Sequence, residues 1–127
     1  MMTAVDEIGR SRYVNLITYR KDGTPVATPV WHVLHEGELF VVTEARSWKV
    51  RRIRNNSEVR VTACDFRGRV APGAPTTTGR ARLLDDSETA RARALLARRY
   101  ALSRVGNWFA RTLRIRRPPM VGIAVSF

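Results

Sequence analysis

The residues with the clearest chemical potential lie between positions 43 and 54, where an apolar stretch runs into a short basic one. Ser47 is of a type that caps helix N-termini, and Lys49 and Arg52 follow within two turns. Unpaired backbone N–H groups and the helix dipole favour an anion at such a terminus, and cationic side chains add charge-assisted hydrogen bonds. The pattern is typical of a phosphate site. It is equally typical of a solvated basic helix face, and the residues alone leave both interpretations open.

Other nucleophilic or metal-ligating side chains are few. Cys64 is the single cysteine and has no histidine near it in sequence, which favours a buried structural thiol over a nucleophile. His32 and His35 have no third ligand nearby, so core or surface positions are favoured over a metal pair. We therefore predict no metal site and no disulfide, and the sequence identifies no catalytic residue.

Several common enzyme motifs are missing from the sequence. It contains no Gly-x-Ser-x-Gly, no phosphate-binding loop, no Gly-x-Gly-x-x-Gly after a strand and no evident carboxylate pair, which disfavours hydrolytic and ATP-driven chemistry. Aromatic side chains offer a further possibility, since they can stack on a planar conjugated molecule, although core positions are the favoured interpretation. These aromatic residues are Trp31, Trp48, Trp108 and Phe109.

The elements that position these residues are mostly short strands separated by turn signals. Asp22-Gly23 lies between two β-prone stretches and predicts a hairpin, whereas the spacing after residue 47 is helical. The predicted strands are 13–19, 26–34, 39–43, 59–64, 76–84 and 120–127, and the predicted helices are 3–10, 47–55 and 85–100. Six short strands at this spacing predict an α+β, mainly β domain whose sheet closes into a barrel. Residues 103–117 are basic and receive no prediction of order.

Composition limits both size and location. The 127 residues are 44% hydrophobic, enough for one domain spanning 1–127 with one modest core. The net charge of +12 attracts polyanions such as nucleic acid, anionic membranes or phosphorylated ligands. Only Lys21 and Lys49 are lysines, and the arginine excess also fits the codon usage of a GC-rich genome. No targeting segment or membrane span is recognisable, so we predict a cytoplasmic protein.

Three segments together resemble a known family. The stretch from Thr43 to Lys49 (T-x-x-x-S-x-K), preceded by the stretch from Gly23 to Trp31 (G-x-P-x-x-T-P-V-W), resembles the pyridoxamine 5′-phosphate oxidase-like split-barrel superfamily over most of the chain. More narrowly, these stretches and the C-D-x-R-G segment that begins at Cys64 resemble the F420-dependent flavin/deazaflavin oxidoreductases of the B type. The resemblance implies a six-stranded antiparallel split β-barrel with flanking helices.

The same resemblance implies how such a barrel holds its cofactor. Each cofactor is expected in a groove at the interface of a homodimer, with its phosphate at the start of the second helix and its ring along the second strand. A β-bulge near Pro29 is expected to free backbone groups for that ring. The implied cofactor-binding residues are Thr28, Pro29, Val30, Trp31, Thr43, Ser47, Lys49, Arg52 and Arg54.

Two features favour coenzyme F420 over FMN. The FMN-binding oxidases of the superfamily carry an arginine and a lysine along the second strand, whereas this chain has Thr28 there and no lysine, which also disfavours pyridoxamine phosphate oxidation. F420 carries a polyglutamate tail, and a basic groove containing Arg51, Arg54 and Arg60 attracts such a tail. The predicted function is hydride transfer from reduced F420 to a conjugated small-molecule acceptor, of unidentified structure.

Three alternatives remain open at this stage. The closest is an FMN-binding oxidoreductase or flavin-storage protein of the same fold, and another is a structural relative that binds no cofactor. A basic nucleic-acid-binding barrel belongs to a different class. It is disfavoured because no strand alternates aromatic and basic residues.

Overall fold

The computed structural model describes residues 3–100 and 119–127 of the chain. The basic stretch 103–117, with Trp108 and Phe109, lies outside the described residues. The helices are α1 (Ala4–Arg10), α2 (Trp48–Asn55) and α3 (Asp86–Tyr100). The strands are β1 (Tyr13–Tyr19), β2 (Pro25–Val30), β3 (Val33–His35), β4 (Glu38–Glu44), β5 (Glu58–Cys64), β6 (Thr76–Leu83) and β7 (Met120–Ser126).

All of these strands belong to one antiparallel sheet with the order β2-β1-β5-β6-β7-β4-β3. Alternate residues of each strand point to one face, as period-2 patterning requires. Buried side chains from β1, β4, β5, β6 and β7 meet in one core cluster with Ile8 of α1, so the sheet wraps around a common interior. The predicted class, a mainly β antiparallel split barrel with flanking helices, is confirmed. The strand β7 lies near the middle of the order and joins β6 to β4.

The sheet has seven strands rather than six because the predicted strand 26–34 is two strands. β2 pairs with β1 and β3 pairs with β4, so the chain passes from one edge of the sheet to the other at Trp31 and His32. The backbone of His32 bonds to the Tyr100 hydroxyl instead of a neighbouring strand: its N–H donates at 3.3 Å, and its carbonyl accepts at 3.1 Å. Within the described residues β2 and β3 are the two edges of the sheet and do not pair with each other, so the predicted closure of the sheet is wrong.

Helix α1 and the end of α3 are joined to each other. Thr3 and Asp6 form a capping box that begins α1, since each side chain accepts a hydrogen bond from the other's backbone N–H. At the far end of α3, the Arg99 guanidinium donates to the carbonyl oxygens of Gly9 and Ser11 at 2.7 Å each. The remaining length of α3 packs on β7 and β4. No helix among residues 3–100 has the length and apolarity to cross a bilayer.

Gly79 of β6 allows the close approach of β7. A Cβ atom at this position would lie 2.7 Å from the backbone oxygen of Ser126 and 2.7 Å from Cγ1 of Val125. We expect Gly79→Ala to lower the free energy of unfolding by about 1–3 kcal/mol, because the strands must separate to admit the methyl group. Urea unfolding measures this, with the exposed neighbour Thr78→Ala as a control expected within about 0.5 kcal/mol of the unmodified chain. An unchanged midpoint for Gly79→Ala would contradict the packing described.

Candidate functional site

The start of α2 is fixed by the end of β4 and by the core. The turn between them is held by the Ala45 N–H, which donates to the Pro119 carbonyl at 2.9 Å. Val50 and Ile53 are buried and anchor one side of the helix. Ser47 has the extended backbone of an N-cap, as predicted, but its side chain makes no capping hydrogen bond. The predicted helix is therefore confirmed, whereas the expected capping hydrogen bond of Ser47 is absent.

That hydroxyl is the most informative polar atom at the site. The Ser47 Oγ is buried and has no hydrogen-bond partner among the described residues. A buried hydroxyl without a partner costs about 1–3 kcal/mol, so such atoms are usually satisfied. The first backbone N–H groups of a helix also lack intrahelical acceptors. An anion at this terminus satisfies both kinds of donor, which is what a phosphate-binding site requires.

Lys49 and Arg52 bring positive charge to one side of α2, Lys49 in its first turn and Arg52 in its last. Burial lowers the pKa of Lys49, the Glu44 carboxylate partly opposes this effect, and Arg52 adds to it. Arg52 is fixed in place because its Nε donates to the Thr18 hydroxyl at 2.6 Å. Burial also lowers the pKa of Arg52, and the positive charge of Arg20 lowers it further. These cations repel one another across a partly desolvated space, and a bound anion relieves that repulsion.

Two other predicted residues occupy different surroundings. Thr43 is buried near the end of β4, on the core-facing side with Val41. Arg54 is exposed, and at 3.6 residues per turn it lies roughly 140° around α2 from Lys49. Ser47 therefore lies at the start of α2 and Lys49 in its first turn, while Arg52 lies one turn further on and about 60° around the helix from Lys49, and Arg54 lies away from them.

The predicted ring-binding segment lies on an edge of the sheet. Thr28 and Val30 are half-buried and share a face with Leu16 and Val14 of β1, whereas Pro29 is exposed on the opposite face. The pairing of β1 with β2 is continuous, so the expected β-bulge near Pro29 is absent. An edge strand already presents unpaired backbone groups on its outer side, and no bulge is needed to free them.

Trp31 and Thr18 connect this edge to the rest of the site. The Trp31 ring follows β2 and packs on Tyr100, with centroids 5.5 Å apart. Thr18, which accepts the hydrogen bond from Arg52, pairs with Val26 of β2. The last turn of α2 is thus linked to the edge strand through Thr18 of β1.

The surroundings of His32 and Cys64 favour structural roles for both side chains. His32 is fully buried, its Nε2 lies 2.9 Å from the Ile8 carbonyl oxygen, and burial lowers its pKa to about 4. Burial raises the pKa of the Cys64 thiol, and Asp65 adds to the effect, which disfavours the nucleophilic thiolate. Within residues 3–100 and 119–127 no cluster of three histidine, cysteine or acidic side chains is placed to hold a metal ion.

A neighbouring depression was missed by sequence reasoning. Trp48 is not a core residue: its side chain is 70% exposed, because it lies on the side of α2 opposite Val50. The helical spacing of Trp48, Arg51 and Asn55 is the sequence signal that identifies this outer side. We call the depression the Trp48 groove, and it is lined by Arg20, Lys21, Trp48, Arg51, Arg52 and Asn55.

Comparison with known proteins places this geometry in a family. The family model for pyridoxamine 5′-phosphate oxidase matches residues 2–124. Similar solved structures include a protein of unknown function from Agrobacterium tumefaciens, with 21% identity, 96% of this chain and 50% of that chain covered, and a TM-score of 0.73. They also include an F420 reductase, with 23% identity, 94% and 88% covered, and a TM-score of 0.60.

An FAD-binding protein from Mesorhizobium loti is a further similar structure, with 17% identity, 96% of this chain and 85% of that chain covered, and a TM-score of 0.65. Identities this low show a shared fold alone, and the chain spans only half the length of the Agrobacterium protein. No curated protein matches the sequence. The extent of the family match is decisive, and the chain belongs to the pyridoxamine 5′-phosphate oxidase family.

Proposed function

We propose that the chain is an oxidoreductase that binds a phosphorylated flavin-like cofactor, F420 in preference to FMN. The observation that carries the proposal is the buried, unpartnered Ser47 hydroxyl at the start of α2, beside Lys49 and Arg52. A hydroxyl donor, helix N–H groups and two cations form a donor set suited to a phosphate. The F420 reductase and the FAD-binding protein of the same fold support the cofactor class.

In this proposal the chain's residues bind and orient, and they exclude water. Ser47, Lys49 and Arg52 would hold the phosphate, and the outer edge of β2 from Thr28 to Val30 would offer backbone groups to a planar ring. The reduced form of F420 would supply a hydride from its C5 position to a conjugated acceptor and would itself be oxidised. The absence of an acid–base motif from the sequence is compatible with this proposal, because the protein would position cofactor and substrate and would not need to transfer a proton.

The preference for F420 rests on charge beyond the phosphate. FMN ends at its phosphate, whereas F420 continues into a polyglutamate tail. The helix α2 carries Lys49, Arg51, Arg52 and Arg54 and has no acidic residue in its first turn. Such a concentration of positive charge attracts a polyanion, and the attraction weakens as salt is added.

Titration of the purified chain with F420, and separately with FMN, tests the proposal by fluorescence. We expect F420 to bind more tightly than FMN. The preference is expected to shrink as the salt concentration rises from about 50 to about 300 mM, because added salt shortens the distance over which the charges attract one another. Tighter binding of FMN would reassign the cofactor within the family, and binding of neither would contradict the oxidoreductase proposal. Analytical ultracentrifugation of the same samples tests the proposed homodimer, and full cofactor binding by a monomer would contradict a shared groove.

A further inference from the structure

The Trp48 groove lies between the β1–β2 turn and the outer side of α2. It has a volume of about 570 Å³, within the range of roughly 300–1,000 Å³ that small-molecule sites occupy. Arg20 and Lys21 line it from the turn, and Arg51 and Arg52 line it from the helix. It shares Arg52 with the proposed phosphate site and Arg51 with the charge proposed to attract the F420 tail, whereas Arg20, Lys21 and Trp48 have no part in the proposed cofactor site.

The charge of the groove is not compensated by its lining. No acidic residue lines it, and no ion pair among the described residues joins any of its four cations to a carboxylate. The acid in the neighbouring turn is Asp22, whose carboxylate accepts a hydrogen bond from the Thr24 N–H at 2.9 Å. Hydrogen bonds to Thr24 lower the pKa of Asp22 most, and the charge of Arg20 lowers it less. A groove of this kind favours an anionic occupant.

The groove also presents an aromatic surface. Trp48 is the most exposed of the large hydrophobic residues in the described chain, at 70%, and the Arg51 guanidinium lies over its ring at 5.0 Å from the centroid. An indole exposed among cations offers a flat apolar surface on which a planar ring can stack. An occupant that carries only charge would leave this surface unused.

We propose that the Trp48 groove binds a nucleotide unit, with the base stacked on Trp48 and the phosphate held by Arg20, Lys21 and Arg51. Base–aromatic stacking combined with phosphate-tracking cations is the pattern by which proteins bind unpaired nucleotides. The base must be unpaired to reach the indole, so duplex nucleic acid is a poor occupant. A free mononucleotide and a single strand present the same chemistry to the groove.

The proposal is tested by measuring, with fluorescence anisotropy, the binding of a labelled oligothymidylate of twelve nucleotides to the full chain without cofactor. We expect Trp48→Ala to weaken binding by about five- to a hundredfold, which is the loss of one stacked base. Phe66→Ala is the matched control, because Phe66 is 61% exposed and also lies beside an arginine. It is expected to leave the affinity unchanged. Circular dichroism of both variants checks that each is folded.

Competition separates the sources of the ligand. Displacement by thymidine monophosphate at comparable affinity identifies a mononucleotide site, and displacement only by unlabelled single strands identifies a nucleic-acid site. Equal losses for Trp48→Ala and Phe66→Ala would overturn the proposal. So would displacement by polyglutamate at the same charge concentration, since that would show attraction by charge alone. Failure of any oligonucleotide to bind would overturn it as well, without touching the cofactor proposal.

Discussion

Replacing Lys49 with alanine is expected to weaken binding of F420 or FMN by about ten- to a hundredfold. A hydrogen bond to a charged group contributes about 1.5–3 kcal/mol, and Lys49 is half-buried at the start of α2, where solvent screening is reduced. Its lowered pKa shows that the site disfavours its positive charge when no anion is bound. Fluorescence titration of both chains with each cofactor measures the change.

Two comparisons make this result specific to a phosphate. Arg98→Ala removes one charge from an exposed position on α3 and is expected to change the affinity by less than about twofold, because distant exposed charges are screened. Riboflavin has no phosphate, so Lys49→Ala is expected to leave its binding unchanged. If Arg98→Ala and Lys49→Ala weakened binding equally, attraction would be diffuse, and the localised site would be wrong.

Lowering the pH from 7 to 4.5 is expected to cost about 2–3 kcal/mol of folding stability through His32 alone. Burial, and then the charge of Arg99, lower the pKa of His32 from 6.5 to about 4. Well above pH 6.5 the ring is neutral in both folded and unfolded chains, so it adds no pH dependence there. Between pH 6.5 and 4 the unfolded chain takes up a proton that the folded chain refuses, and stability falls as the pH falls.

Urea unfolding at pH 7 and pH 4.5 measures this loss, and the second histidine provides the control. His35→Gln is the matched control, because it replaces a histidine whose side chain is 40% exposed and leaves the buried His32 ring in place. His32→Gln removes the titrating ring and is expected to reduce the difference between the two pH values by about 2–3 kcal/mol. Identical pH dependence in the two variants would show that His32 does not titrate as described.

The local elements of the fold were predictable because their signals are local. The Thr3 cap, the Asp22-Gly23 turn with Gly23 at φ +89°, and the extent of α2 each depend on residues a few positions apart. The division of the strand 26–34 was not predictable in this way. It depends on the Tyr100 hydroxyl, which lies 68 positions from His32 in sequence.

In the candidate site too, features that depend on nearby residues were predictable and features that depend on distant residues were not. The placement of Ser47, Lys49 and Arg52 on or next to one helix was predictable because all three lie within a short stretch of sequence, and their role in binding a phosphate stays a prediction. Trp48 was assigned to the core although helix geometry places it about 200° from Val50, so this error was avoidable. The hydrogen bond from Arg52 to Thr18 required knowledge of which strand lies beneath α2, which no local pattern provides.

The position of β7 within the sheet has a consequence for synthesis of the chain. Without β7 the sheet falls into two unconnected parts, β2-β1-β5-β6 and β4-β3, because β7 is the strand that joins β6 to β4. Beside the outer edges of β2 and β3, a growing chain therefore exposes two further unpaired edges, on β6 and β4, until residues 120–126 have left the ribosome, and pairings so distant in sequence form slowly. Nascent chains that stall before Met120 keep both edges open to pairing with other chains, which makes them substrates for chaperones or proteases rather than partly working proteins.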